Sequence, residues 1–156
     1  MLHGGQRQYT DFPATRSNSG QDLAPDQPGA FYKTDAAKPL FRWPDRANSL
    51  NFELVAHLAL YKELESMGVE SKRIEIFQFC DARIANEMVI FNPDFSAYLP
   101  CRITLMEDTE GQAWLITLDL SKVIPSANLT PELLEKAELV RDNIASIMKA
   151  GASGDL

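Results

Sequence analysis

The chain has 156 residues, 45% of them hydrophobic and 24% charged, with a formal net charge of −7. That suits one soluble globular domain of ordinary size. No apolar run approaches the ~18 residues that span a bilayer. The start, Met1-Leu2-His3-Gly4-Gly5-Gln6, lacks the basic-then-apolar order of a secretory signal, so a cytoplasmic location is expected.

The charge is uneven. Residues 1–48 carry six Lys/Arg against five Asp, and the remainder carries nine against seventeen Asp/Glu. Nucleic-acid binding needs a cationic footprint on the folded part, and this folded part is acidic. Nucleic acid is therefore excluded as the expected partner.

Residues 1–48 read as an extended arm. Five of the nine prolines fall there, and no helical or alternating period is visible. Apolar anchors recur along it at Tyr9, Phe12, Phe31, Tyr32, Leu40, Phe41 and Trp43. Such spacing suits a segment that lies on another surface, either its own domain or a partner subunit. The arm's reach favours the partner.

The domain is expected over residues 49–150, followed by a tail at 151–156. Asn48-Ser49 offers a helix N-cap. Leu50, Leu54, Leu58, Tyr61 and Met67 recur at helical spacing and predict a helix from Leu50 to Met67, closed by Gly68, with His57 inside it. "RIEIFQF" at 73–79 is β-branched and aromatic, hence a strand. Asp81 then caps a short helix to Phe91, with Ile84, Met88 and Phe91 on one face, and Asn92-Pro93-Asp94 breaks it. Cys101–Glu107 and Gln112–Leu120 read as a hairpin around the turn Asp108-Thr109-Glu110-Gly111. Thr130 caps the last helix, with Pro131 at its first position and Glu132 near its positive end. Its apolar stripe is Leu133, Ala137, Val140, Ile144, Ile147 and Met148, and Gly151 is expected to end it. The expected fold is α+β: a small antiparallel sheet of three strands packed by two helices. So thin a sheet leaves edges for the arm or another chain to cover.

The middle of the chain resembles the domain-of-unknown-function family DUF302. The resemblance rests on "CDARIA" at 80–85, on "NPDFSAYLPC" at 92–101 with its Leu-Pro-Cys, and on the strand "RITLMED" that follows; Gly68-Val69 before the first strand also fits. It extends over roughly residues 50–148. Asp81 and Ala82 stand where the family usually has Asn-Pro. The family's opening strand–helix–strand, expected before residue 50, is not recognisable in the arm. The resemblance implies an α+β domain that tends to self-associate, and it implies no reaction.

Cys80 and Cys101 are the only cysteines and lie 21 positions apart, so neither a CxxC redox motif nor a zinc knuckle is present. Three readings stay open: small buried side chains, a thiol-redox or sulfur-handling pair, or ligands joined by His57. The helix start after Cys80 would favour a thiolate, and Asp81 would oppose it. No cofactor and no metal is indicated. Glu75, Asp81, Glu87, Glu107 and Asp108 are the acidic candidates, and carboxylates act as acid or base only in a cleft that shifts a pKa. No Ser-His-Asp set, phosphate loop or dinucleotide fingerprint occurs. The expected function is a non-catalytic binding or assembly subunit whose arm docks on a partner or on its own copies. The alternatives are a thiol protein using Cys80 and Cys101, and a small-ligand pocket between the sheet and the last helix.

Overall fold

The computed structural model describes residues 29–35 and 42–153, with the side chains of the second stretch described from residue 45 onward. It is α+β. Strand β1 (Gly29–Thr34) is followed by helix α1 (Arg42–Ser49), β2 (Glu53–Leu58), α2 (Leu60–Ser66) and β3 (Ile74–Cys80). Helix α3 (Ala82–Phe91) leads through a 3-10 turn, Pro93–Tyr98, into the hairpin β4 (Cys101–Glu107) and β5 (Ala113–Leu118). A short α4 (Leu120–Val123) and a second 3-10 turn, Ile124–Ser126, precede the long α5 (Pro131–Ser153).

The sheet has five strands in the order β1-β5-β4-β3-β2, and every described pairing is antiparallel. One face carries the core. Leu54 opposes Phe79, Phe77 opposes Ile103, and Leu105 opposes Leu115. Helices α1 and α5 close over it, bringing Ala47, Ile144, Ile147 and Met148 against Phe77, Phe79, Ile103, Leu105 and Leu115. Burying each Phe or Leu contributes roughly 1.5–3 kcal/mol. Polar bonds fix the helices in place: the Arg46 guanidinium donates to Ser146 Oγ, and Thr34 Oγ1 donates to the Gly151 carbonyl at 3.0 Å.

Three expectations are corrected. Residues 50–67 do not form one helix. Asn48 and Ser49 end α1, Ser49 Oγ donating back to the Arg46 carbonyl at 2.7 Å, and Asn51 turns the chain at φ 59°, a left-handed conformation that Asn tolerates. Residues 53–58 then pair with β3, so His57 lies on a strand. Only the closing half of the expected helix exists, and Gly68 at φ 78° does end it. Second, Gly151 does not stop α5, which continues to Ser153. Third, a strand–helix–strand opening is present after all, as β1, α1 and β2. Phe31 and Tyr32 belong to that sheet, paired with Ile116 and Leu115. The sheet therefore has two more strands than the three expected, both at its edges.

The second half follows the sequence closely. Asp81 caps α3 through N–H bonds from Arg83 and Ile84, and the Thr130 hydroxyl accepts from Leu133 N–H at the start of α5. At the hairpin, Asp108 Oδ1 accepts from the N–H groups of Glu110 and Gln112, while its Oδ2 accepts from Trp114 Nε1 at 2.8 Å. Among the described residues no helix is long and apolar enough to cross a membrane.

Candidate functional site

The two cysteines meet at one end of the sheet. Strands β3 and β4 are antiparallel neighbours, so the last residue of β3 and the first of β4 lie together, and Cys101 pairs with Phe79. Cys80 is one residue further along. Pleat alternation turns the two side chains in different directions, but at the strand ends both border the same hollow. Both are free thiols and both are half-buried.

Neither environment favours a thiolate. Burial pushes the Cys101 thiol up to about 11, and the nearby Cys80 adds to it, against a small opposing effect of a backbone hydrogen bond. Burial also raises Cys80, reinforced by the carboxylates of Asp81 and Glu53. Asp81 is already engaged by the two N–H groups of its cap. Reactive cysteines sit in electropositive, accessible settings, and these two do not.

What the strand ends border is a cavity of about 90 Å³. Phe79, Cys80 and Cys101 form its sheet side, and Ile84, Ala85 and Met88 of α3 another wall. Phe95, Tyr98 and Leu99 of the following turn, Val123, Ile124 and Leu129 before α5, and Ala137 and Val140 on α5 close it. Met88 and Ala137 of this wall join Leu133 in a small core of their own, with Ile84, Phe95 and Ile124 packed against them. The rings of Phe91, Phe95 and Tyr98 run in a ladder at centroid spacings of 6.4 Å, and the outer two are 43% and 46% exposed. The ladder leads from solvent to the cavity wall. A concave apolar lining of this kind suits an apolar guest. Polar groups among the lining side chains are confined to the two thiols, the capping Asp81 and the Tyr98 phenol.

The remaining candidates are satisfied elsewhere. Buried Glu75 accepts from Arg73 Nε at 2.5 Å and pairs with His57 Nε2 at 2.7 Å. Burial alone would raise its pKa, but those bonds and charges outweigh burial and lower it. His57 also stacks on Phe77, with centroids 4.4 Å apart and planes 8° apart. Lys136 bonds Glu87, and Lys72 pairs with Glu107 at 3.5 Å. His57 does not join the cysteines, and among the described residues no three His, Cys, Asp or Glu side chains assemble as a metal-ligand set. Of the arm's anchors, Phe31 and Tyr32 sit in β1. Trp43 falls on α1, its side chain outside the described set, and Tyr9, Phe12 and Phe41 lie outside the described residues. Phe95, Tyr98 and the 120–129 segment, which close the cavity, carry no periodic pattern that marks them as a site.

A family model, "Domain of unknown function DUF302", matches residues 41–151. The chain belongs to the DUF302 family. The match includes α1 and β2 as well as the half that carries the motifs. A solved structure, of an uncharacterized conserved DUF302 protein from Bacillus stearothermophilus, superposes with a TM-score of 0.67 over 80% of this chain and 98% of that one. At 15% identity it shows the shared fold alone. No curated protein matches. In this DUF302 chain, the family's Cys-containing segments fall at the cavity: "CDARIA" supplies a strand end and the first turn of α3, and "YLPC", with its cis Leu99–Pro100 bond, supplies Tyr98, Leu99 and Cys101 to the wall.

Proposed function

We propose that this DUF302 domain is a non-catalytic binding protein that takes a small apolar ligand in the cavity between β3, β4, α3 and α5. The carrying observation is the cavity itself: a hollow, partly open to solvent, walled almost wholly by aliphatic and aromatic side chains. Ligand sites are concave, mostly apolar and largely preformed. The raised thiol pKa values support reading Cys80 and Cys101 as wall residues rather than as a redox pair. Two free thiols also suit a reducing, cytoplasmic setting.

The test is titration with the neutral dye N-phenyl-1-naphthylamine. Saturable fluorescence enhancement is expected for the wild type and its loss in Ala137→Leu, whose added carbons fill the space. Ala85→Leu repeats the test from the α3 wall. Equal binding by wild type and both variants, each shown folded by circular dichroism, contradicts the reading. Assembly through the arm is a separate proposal. It rests on Tyr9, Phe12, Phe41 and Trp43, because Phe31 and Tyr32 are taken by the sheet. Light scattering on the wild type, on a chain lacking residues 1–28 and on the pair Phe41→Ser with Trp43→Ser tests it, and a mass unchanged in both variants removes it.

A further inference from the structure

The sheet has a second face. Helices α1 and α5 close the one that carries Phe77, Leu105 and Leu115. The alternate residues of each strand turn the other way. Directly opposed residues share a face, and one row of them crosses all five strands: Phe31, Ile116, Thr104, Ile76 and Leu58. A second row runs from Lys33 through Trp114 and Met106 to Ile74. Apart from Lys33 and Thr104, both rows are apolar.

An antiparallel sheet with one solvated face alternates apolar and polar residues. Strand β5 does not, since Ala113, Trp114 and Leu115 are buried in succession. Trp114 and Met106 are each only 8% exposed, yet among the described residues they belong to neither core. Of the described helices, α5 packs on β5 from the core side, and α2 packs on β3. A sheet face of this composition is one layer of a pair, and another segment has to lie over it.

The chain supplies a candidate. Residues 1–28 run straight into β1 at the edge of the sheet, and Phe31 of β1 lies on this face. The five strands make the face about 20 Å across. Phe12 stands 17 positions before Gly29, and a chain of that length reaches up to ~55 Å when extended. Direct attachment holds the segment at an effective concentration on the order of millimolar, which favours its own domain over a partner's. Its charges nearly cancel, two Arg against three Asp, which suits an apolar surface.

We propose that residues 1–28 fold back over this face of their own chain, with Tyr9 and Phe12 seated on the two rows. The proposal is independent of the cavity. It takes Tyr9 and Phe12 from the assembly proposal above and leaves it Phe41 and Trp43. The test reads Trp114 by acrylamide quenching in Trp43→Phe, where it is the only tryptophan. Trp114 should be shielded in the full chain. Deleting residues 1–28 should raise its quenching several-fold and shift its emission to the red, with the oligomer number unchanged in light scattering. Tyr9→Ser with Phe12→Ser, in the full chain, should raise quenching in the same way, and this variant decides the matter if the truncated chain does not fold. Shielding that survives in the folded truncation or in the double variant overturns the proposal. Raised quenching with a fall in oligomer number assigns the cover to a second copy's segment, and also overturns it.

Discussion

The two ends of β3 face different problems. At the Glu75 end a charge is buried, and every charged or polar neighbour is arranged to satisfy it: Arg73 and His57 donate to its oxygens, and Phe77 supplies a flat surface for the imidazole. At the Cys80 end little polar is buried, yet the packing is left incomplete and a cavity remains. A complete polar network signifies structure, because burying an unmet charge is costly. An incomplete apolar packing signifies a vacancy that a ligand can fill, because interiors otherwise pack to crystal density. Titratable residues cluster at the first end, but room for a ligand lies at the second.

The comparison breaks most readily in the core that joins the two ends. Phe79 is fully buried between them, and Phe79→Ala should cost about 3–5 kcal/mol in chemical denaturation. A cost below ~1 kcal/mol would mean that the sheet does not organise the fold as described. Next comes Glu75→Gln, which removes the carboxylate that Arg73 and His57 share and should cost roughly 1–3 kcal/mol. Glu75 has a lowered folded-state pKa, so its contribution is present above the ordinary carboxylate range near pH 4 and is lost as pH falls through its lower folded value. The variant should therefore show a flatter acid limb in a stability-against-pH series. An unchanged acid limb would show that the network adds nothing. The smallest effect in energy is at the cavity end. Asp81→Ala removes the α3 cap and should cost about 1 kcal/mol, with dye binding retained. Loss of dye binding at unchanged stability would instead make Asp81 a ligand contact.

How much of this was legible varied with how local the cause was. The strand Cys101–Glu107, the cap at Asp81, the turn at 108–111 and the start of α5 depend on neighbours in sequence, and they appear where the residues indicate. Strand β2 was hidden by its own irregularity. Its register shifts between Leu54 and Ala56, so Leu54 and His57 reach the same face three residues apart, a spacing that imitates a helix. Strand β1 was hidden by its setting among prolines, and its order comes from pairing with β5, more than 75 residues away. The cysteines were legible as a pair at neighbouring strand ends, but their inertness was not, since it depends on burial. The cavity was only broadly foreseeable. Ile84, Met88, Ala137 and Val140 are ordinary stripe residues, and it is the meeting of α3, α5 and the 120–129 segment that leaves space between them.

The central claim is that this space accepts an apolar guest, and crystals pressurised with xenon test it most directly. The account predicts a xenon peak among Met88, Phe95 and Ala137 in the wild type, absent in Ala137→Leu. A wild-type crystal with no xenon there, its cavity closed by repacked side chains, would contradict it.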